Sequence, residues 1–144
     1  RGMIGGQVID IQNEDNKDIK LDTLMMLDNF KTGVLIEAAC SLGCIAARAN
    51  DDNIQAAKEF ASNIGLAFQI KDDILDVTSS FEKLGKAIGS DMENGKTTYV
   101  TLLGVEECQK LVDKLTDEAL KALDAFENNE ALKEYAIYLA KRDY

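Results

Sequence analysis

The sequence predicts an all-α protein. Three observations carry this. Proline is absent from the 144 residues. Alternation of β-branched or aromatic residues at period two is scarce, and apolar residues recur at helical spacing along most of the chain. The apolar fraction is 46%, ordinary for a folded domain, and the length suits one modest domain with a real core. Residues 1–144 are read as a single all-α unit.

The elements follow in order. Met3 to Ile11 forms a short, mostly apolar helix, and Gln12 to Lys20 is a polar loop. Asp22 is placed to cap a helix from Thr23 towards Phe30. Gly33 is expected to break or kink the chain just after Lys31-Thr32. Val34 to Ala49 is apolar on nearly every side, which predicts a central, buried helix. Asp51-Asp52-Asn53 supplies a turn and a cap for a long helix from Ile54 to Val77. Gly65 lies in its middle, where glycine costs about 1 kcal/mol relative to alanine, so close backbone packing is expected there. From Thr78 to Gly95 the helical pattern fails; Gly85, Gly89 and Gly95 occur with Lys83, Lys86 and Lys96, which reads as a functional loop with at most a short helix. Tyr99–Val105, Glu107–Phe126 and Ala131–Lys141 are read as three further helices, the last two separated by a turn at residues 127–130.

Charge and composition exclude several functions. The formal charge is -10, which argues against non-specific binding to nucleic acid or to an anionic membrane surface. Histidine is absent, so histidine-based triads, histidine bases and His-ligated zinc are excluded for this chain. Cys40 and Cys44 sit in an apolar run without other soft ligands and read as small buried apolar residues. With Cys108 they make an odd cysteine count, which fits a reducing cytoplasm. The longest apolar run, Gly33 to Ala47, carries Glu37 and falls short of a membrane span, so no stable membrane insertion is expected. The chain opens on Arg1 and a glycine-rich stretch, which reads as the middle of a longer protein.

The segment Gln69-Ile70-Lys71-Asp72-Asp73-Ile74-Leu75-Asp76 carries the clearest chemical signal. On a helix, Gln69, Asp72 and Asp76 share one stripe, and Asp73 lies about 100° further round. Carboxylates so placed repel by only ~1 kcal/mol per pair in water at about 4 Å, and by several times more where solvent is excluded. A hard cation between them is one resolution, and magnesium typically combines one or two carboxylates with waters and substrate phosphates. A solvated acidic helix end is the other, although aspartate near a helix C-terminus opposes the macrodipole. Spacing alone leaves both open.

The flanking residues resemble a known family. Phe68 to Asp76 is similar to the second aspartate-rich motif of the trans-prenyltransferases, the farnesyl and geranylgeranyl diphosphate synthases of the polyprenyl synthetase family. Gly5-Gly6-Gln7-Val8-Ile9-Asp10 resembles the family's Gly-Gln-x-x-Asp element, and Lys31-Thr32-Gly33 its Lys-Thr motif. Gly85-Lys86, Gly89-Ser90-Asp91 and Gly95-Lys96-Thr97-Thr98-Tyr99 resemble the loop after the second aspartate motif. Val100 stands where the family usually has proline. The match covers essentially the whole chain as the C-terminal half of such an enzyme; the first aspartate-rich motif and the isopentenyl diphosphate site have no counterpart in it.

The resemblance implies an isoprenoid-synthase-type helical bundle and a chain-elongating prenyl transfer. An allylic diphosphate ionises, isopentenyl diphosphate attacks the allylic cation, and a proton is lost. It implies Mg2+ as cofactor, with Asp72 the best direct ligand and Asp73 and Asp76 supporting it. Lys31, Lys86 and Lys96 become contacts to the diphosphate, whereas Lys71 and Lys83 stay surface residues. Thr32 and Gln69 offer neutral dipoles to the cation, and Gln7 and Asp10 join the site from a neighbouring helix. For Gln7 a helix-packing hydrogen bond is an equal alternative. Leu35 and Phe68 either wall the cavity for the growing chain or pack in the core. Family members are usually homodimers. Two other outcomes share the fold: a non-catalytic regulatory subunit, which should have lost some of Lys31, Gln69, Asp72 and Lys96, and a terpene-synthase-like ionising enzyme, which the Lys31-Thr32 and Gly95-Lys96-Thr97 elements fit less well.

Overall fold

The computed structural model describes residues 2–13, 19–78 and 96–143. In chain order these form α1 (Met3–Gln12), α2 (Leu21–Asp28), one π-helical turn (Asn29–Gly33), α3 (Val34–Ala46), α4 (Asp51–Thr78), α5 (Tyr99–Leu103), α6 (Val105–Ala122), a 3-10 turn (Leu123–Ala125) and α7 (Glu130–Lys141). No strand occurs among the described residues, in agreement with the all-α expectation. Lys86, Gly85 and the Gly89-Ser90-Asp91 element lie outside the described residues.

The bundle is organised on α4. Its helix starts at Asp51, not at Ile54. The Asn50 side chain accepts a 2.8 Å hydrogen bond from the Asn53 N–H, and Asp51 and Asp52 complement the dipole in the first turn. Two apolar clusters are strung along its length. Near its start, Phe60 and Ile64 pack with Ala119, Leu123 and Ala136. Further on, Ala67, Ile70 and Ile74 pack with Tyr99, Cys108, Val112, Leu115 and Ala140. The main partner of α4 is therefore α6, with α7 closing behind both.

This corrects the expectation for Val34 to Ala49. The helix that forms there, α3, has no buried residue. Ile36 and Cys40 reach the α4–α6 core, while Leu35, Leu42 and Ile45 stay exposed, Leu42 at 63%. Apolar character on every side shows what a helix could bury. Which faces are covered depends on its neighbours, and among the described residues α4 and the π turn are the main partners of α3.

Two boundaries also shift. The second helix starts at Leu21, with Lys20 as cap residue and no side-chain cap; Asp22 falls in the first turn. Burial of Ile19, Leu24 and Leu27 sets that register. The helix read as Tyr99–Val105 ends at Leu103, because Gly104 adopts φ +81°, a conformation that favours glycine and separates α5 from α6. Thr98 and Thr101 cap each other reciprocally at the start of α5. The last turn before α7 is held by Asn129, whose side-chain amide donates to the carbonyls of Leu123 (2.8 Å) and Phe126 (2.9 Å).

Candidate diphosphate and metal site

The Lys31-Thr32-Gly33 motif forms a π turn, so the expected break or kink takes the form of an irregular turn through which the helical path continues from α2 into α3. Single π turns are rare and often accompany functional sites. Two glycines explain how it is packed. A Cβ on Gly6 of α1 would lie 2.5 Å from the Phe30 carbonyl carbon and 2.6 Å from Lys31 Cα, so only glycine lets α1 approach so closely. On the opposite side a Cβ on Gly65 of α4 would meet Gly33 Cα at 3.5 Å and Ile36 at 3.3 Å, the close packing expected of that position. The motif backbone is thus clamped between two helices.

The clamp brings predicted residues together. Lys31 Nζ donates to Asp10 Oδ2 at 2.5 Å, pairing the Lys-Thr and Gly-Gln-x-x-Asp elements across α1 and the π turn. Gln7, on α1, is exposed, and Thr32 is half-buried. Asp28, one helical turn before Thr32, has no role in any sequence motif. Burial raises its pKa, and Tyr99, Lys96 and Lys31 partly offset this. Its position was legible only as part of an unremarkable helix end; the proximity of Lys31 and Lys96 comes from folding.

The three aspartates have different environments. Asp76 is 2% exposed and belongs to the interior. Asp73 accepts a 2.7 Å hydrogen bond from the backbone N–H of Tyr99, so it ties the start of α5 to α4. Asp72 is half exposed and accepts a hydrogen bond from Arg142, a residue that sequence reasoning missed. Gln69 lies on the same stripe of α4, half-buried. Tyr99 is fully buried, with its hydroxyl beside the Asp28 carboxyl. Burial, then Asp28 and Asp73, hold its phenol protonated. Burial and Asp73 push the Cys108 thiol up to about 11.

Asp10, Lys31, Asp28, Lys96, Tyr99 and Asp73 therefore form one electrostatic neighbourhood drawn from α1, α2, the π turn, α4, α5 and the segment just before α5. Beside it lies an apolar cleft of about 510 Å3 lined by Met25, Met26, Phe30 and Leu66, with Asp28, Asn29 and Ser62 as polar members. Neither Leu35 nor Phe68 lines this cleft.

The donor set fits a hard divalent cation in part. It is oxygen-only, and Asp72 already holds a positively charged partner at the protein surface. Among the described residues, no three acidic or sulfur side chains converge as a complete metal site.

Comparison with known proteins identifies relatives of the chain. The chain is 45% identical over 145 residues to a farnesyl diphosphate synthase of Micrococcus luteus, matching 99% of this chain and 49% of that protein. It thus spans about half the length of the curated relatives it matches. A heptaprenyl diphosphate synthase structure from Staphylococcus aureus superposes with TM-score 0.93 over 99% of this chain and 57% of that one, at 22% identity, which shows the shared all-α fold. A geranyltransferase from Helicobacter pylori, solved with magnesium and isoprenyl diphosphate, superposes with TM-score 0.75 at 34% identity over 96% of this chain and 45% of that one. The family model for polyprenyl synthetases matches residues 1–139, and the chain belongs to that family.

Proposed function

We propose that this chain is the diphosphate-binding half of a chain-elongating prenyltransferase, which condenses an allylic diphosphate with isopentenyl diphosphate and releases diphosphate. The observation that carries this is the single neighbourhood of Lys31, Lys96, Asp10, Asp28 and Asp73. Cations of Lys type beside carboxylates of metal-binding type suit an anion that arrives with a divalent ion.

In such a reaction the barrier lies in separating diphosphate from an allylic cation. Lys31 and Lys96 stabilise the charge growing on the leaving group. Asp10 fixes Lys31 Nζ so that its charge is in place beforehand. Lys86, by its motif, adds a further contact. Thr32 and Gln69 face the developing cation with neutral dipoles that do not trap it, and Gln7 supports the first helix of the site. With no histidine in the chain, the departed diphosphate is the proton acceptor. Magnesium, held by Asp72 with Asp73 and Asp76 behind it, would supply Lewis-acid stabilisation of the diphosphate. The apolar cleft beside the π turn keeps water from the cation.

The exposed apolar residues of α1 and α3 fit a bundle completed by the other half of the family's length, and we assign a homodimer as the assembled enzyme. No described helix is long and apolar enough to cross a membrane. The cysteines are free in the structure, which fits a cytoplasmic setting.

The test is calorimetry on the full protein. Asp72→Ala should abolish magnesium-dependent binding of diphosphate; binding at wild-type strength would sink the site assignment. Purified residues 1–144 should give no prenyl product from an allylic diphosphate and isopentenyl diphosphate, since they carry one side of the site only.

A further inference from the structure

Arg142 lies just beyond α7, at a position that no motif covers. Its side chain is only 10% exposed. The guanidinium carbon stands 3.9 Å from the centre of the Phe68 ring, and Nη2 donates both to the Phe68 carbonyl at 3.1 Å and to the Asp72 carboxylate. Its Nε is buried without a hydrogen-bond partner. Burying an always-charged guanidinium in this way is costly unless its charge is matched, and the matching charge is Asp72.

We propose that Arg142 is a positioning residue for the metal-binding carboxylate of Asp72. This rests on the assignment of Asp72 to the diphosphate site. The ring stack, the carbonyl contact and the burial anchor the guanidinium independently of Asp72. Arg142 therefore stays in place when the carboxylate takes a second cation. A carboxylate offers two oxygens and about four acceptor sites, so one hydrogen bond to Oδ1 leaves it able to ligate. The Asp72 side chain is half exposed, and the buried guanidinium is a fixed point against which its carboxylate is oriented. Held by Arg142, it meets the ion already oriented, as hydrogen-bonded ligands generally do. The end of α7 thereby becomes part of a site whose motifs all lie at or before Tyr99.

The test measures the magnesium concentration that gives half-maximal binding of inorganic diphosphate to the full protein, by calorimetry. Arg142→Ala should raise it about 10-fold or more, the usual scale for losing a partner of a metal ligand. Arg142→Lys keeps the charge but not the planar fork, and should recover only part of the loss. Lys133→Ala removes the 2.7 Å contact from α7 to Asp124. It serves as the structural control and should leave the magnesium demand at the wild-type value. Wild-type or lower magnesium demand in Arg142→Ala overturns the proposal, the lower value marking Arg142 as a competitor of the ion. If Arg142→Ala does not fold, Arg142→Lys decides, and wild-type demand in it overturns the proposal equally. Asp72→Asn separates the two readings. Loss of binding in Asp72→Asn with wild-type behaviour in Arg142→Ala defeats only the positioning role, whereas unchanged binding in Asp72→Asn defeats the site itself.

Discussion

The Asp73 carboxylate accepts a 2.7 Å hydrogen bond from the backbone N–H of Tyr99, twenty-six positions further along the chain. That N–H opens α5 and lacks a helical acceptor, so Asp73 does for α5 what a capping side chain does elsewhere. The contact fixes Tyr99, whose ring is fully enclosed, against α4.

Removing this acceptor should therefore cost stability before it costs chemistry. Asp73→Ala is expected to lose about 2 kcal/mol, the range for a hydrogen bond to a charged group, in urea unfolding. Asp73→Asn keeps an acceptor oxygen and should lose less than half of that. An equal loss in both variants would show that charge, and not the hydrogen bond, is what Tyr99 needs.

Gly6 and Gly5 are adjacent on α1 and make opposite predictions. A Cβ at Gly6 would run into the backbone of Phe30 and Lys31, while one at Gly5 meets nothing within 4 Å. Gly6→Ala should destabilise by about 2–3 kcal/mol, because backbone atoms of the π turn cannot swing aside as a side chain can. Gly5→Ala should stabilise by roughly 0.5–1 kcal/mol through helix propensity. Chemical denaturation of the two variants checks both, and a Gly6→Ala protein as stable as wild type would mean that α1 is not clamped on the Lys-Thr turn.

Asp28 predicts a pH dependence. Burial raises its pKa above the ordinary 3.8, so its charged form is disfavoured in the folded state. The folded protein then holds the proton more tightly than the unfolded chain. Stability is lost as pH rises from 3.8 through the folded value, and the full penalty persists at neutral pH. Asp28→Asn should accordingly melt at a higher temperature than wild type at pH 7, with the difference shrinking as pH falls towards 3.8. A difference that grows on acidification would reverse the sign and show that Lys31 and Lys96 outweigh burial at this carboxylate.

The sequence by itself determined the secondary structure class, most helix positions and the membership of a motif set, because helical periodicity, absence of proline and short-range residue patterns are local properties. It placed Asp72, Asp76 and Gln69 on one stripe of α4 by geometry alone, and it marked Gly65 as a close-packing point. Folding decided what local patterns cannot encode. The most apolar helix, α3, stays largely exposed while the more polar α4 becomes the centre, since burial is a property of neighbours and not of hydropathy. The Lys31-Thr32-Gly33 turn is π-helical, and Gly6 and Gly65 let α1 and α4 pack close against it from two sides. Asp72, Asp73 and Asp76, close neighbours in the motif, become a surface carboxylate paired with Arg142, a cap on α5 and an interior group. Arg142 reaches Asp72 across seventy positions of sequence, a distance over which only the packing of α7 against α4 could bring the two charges together.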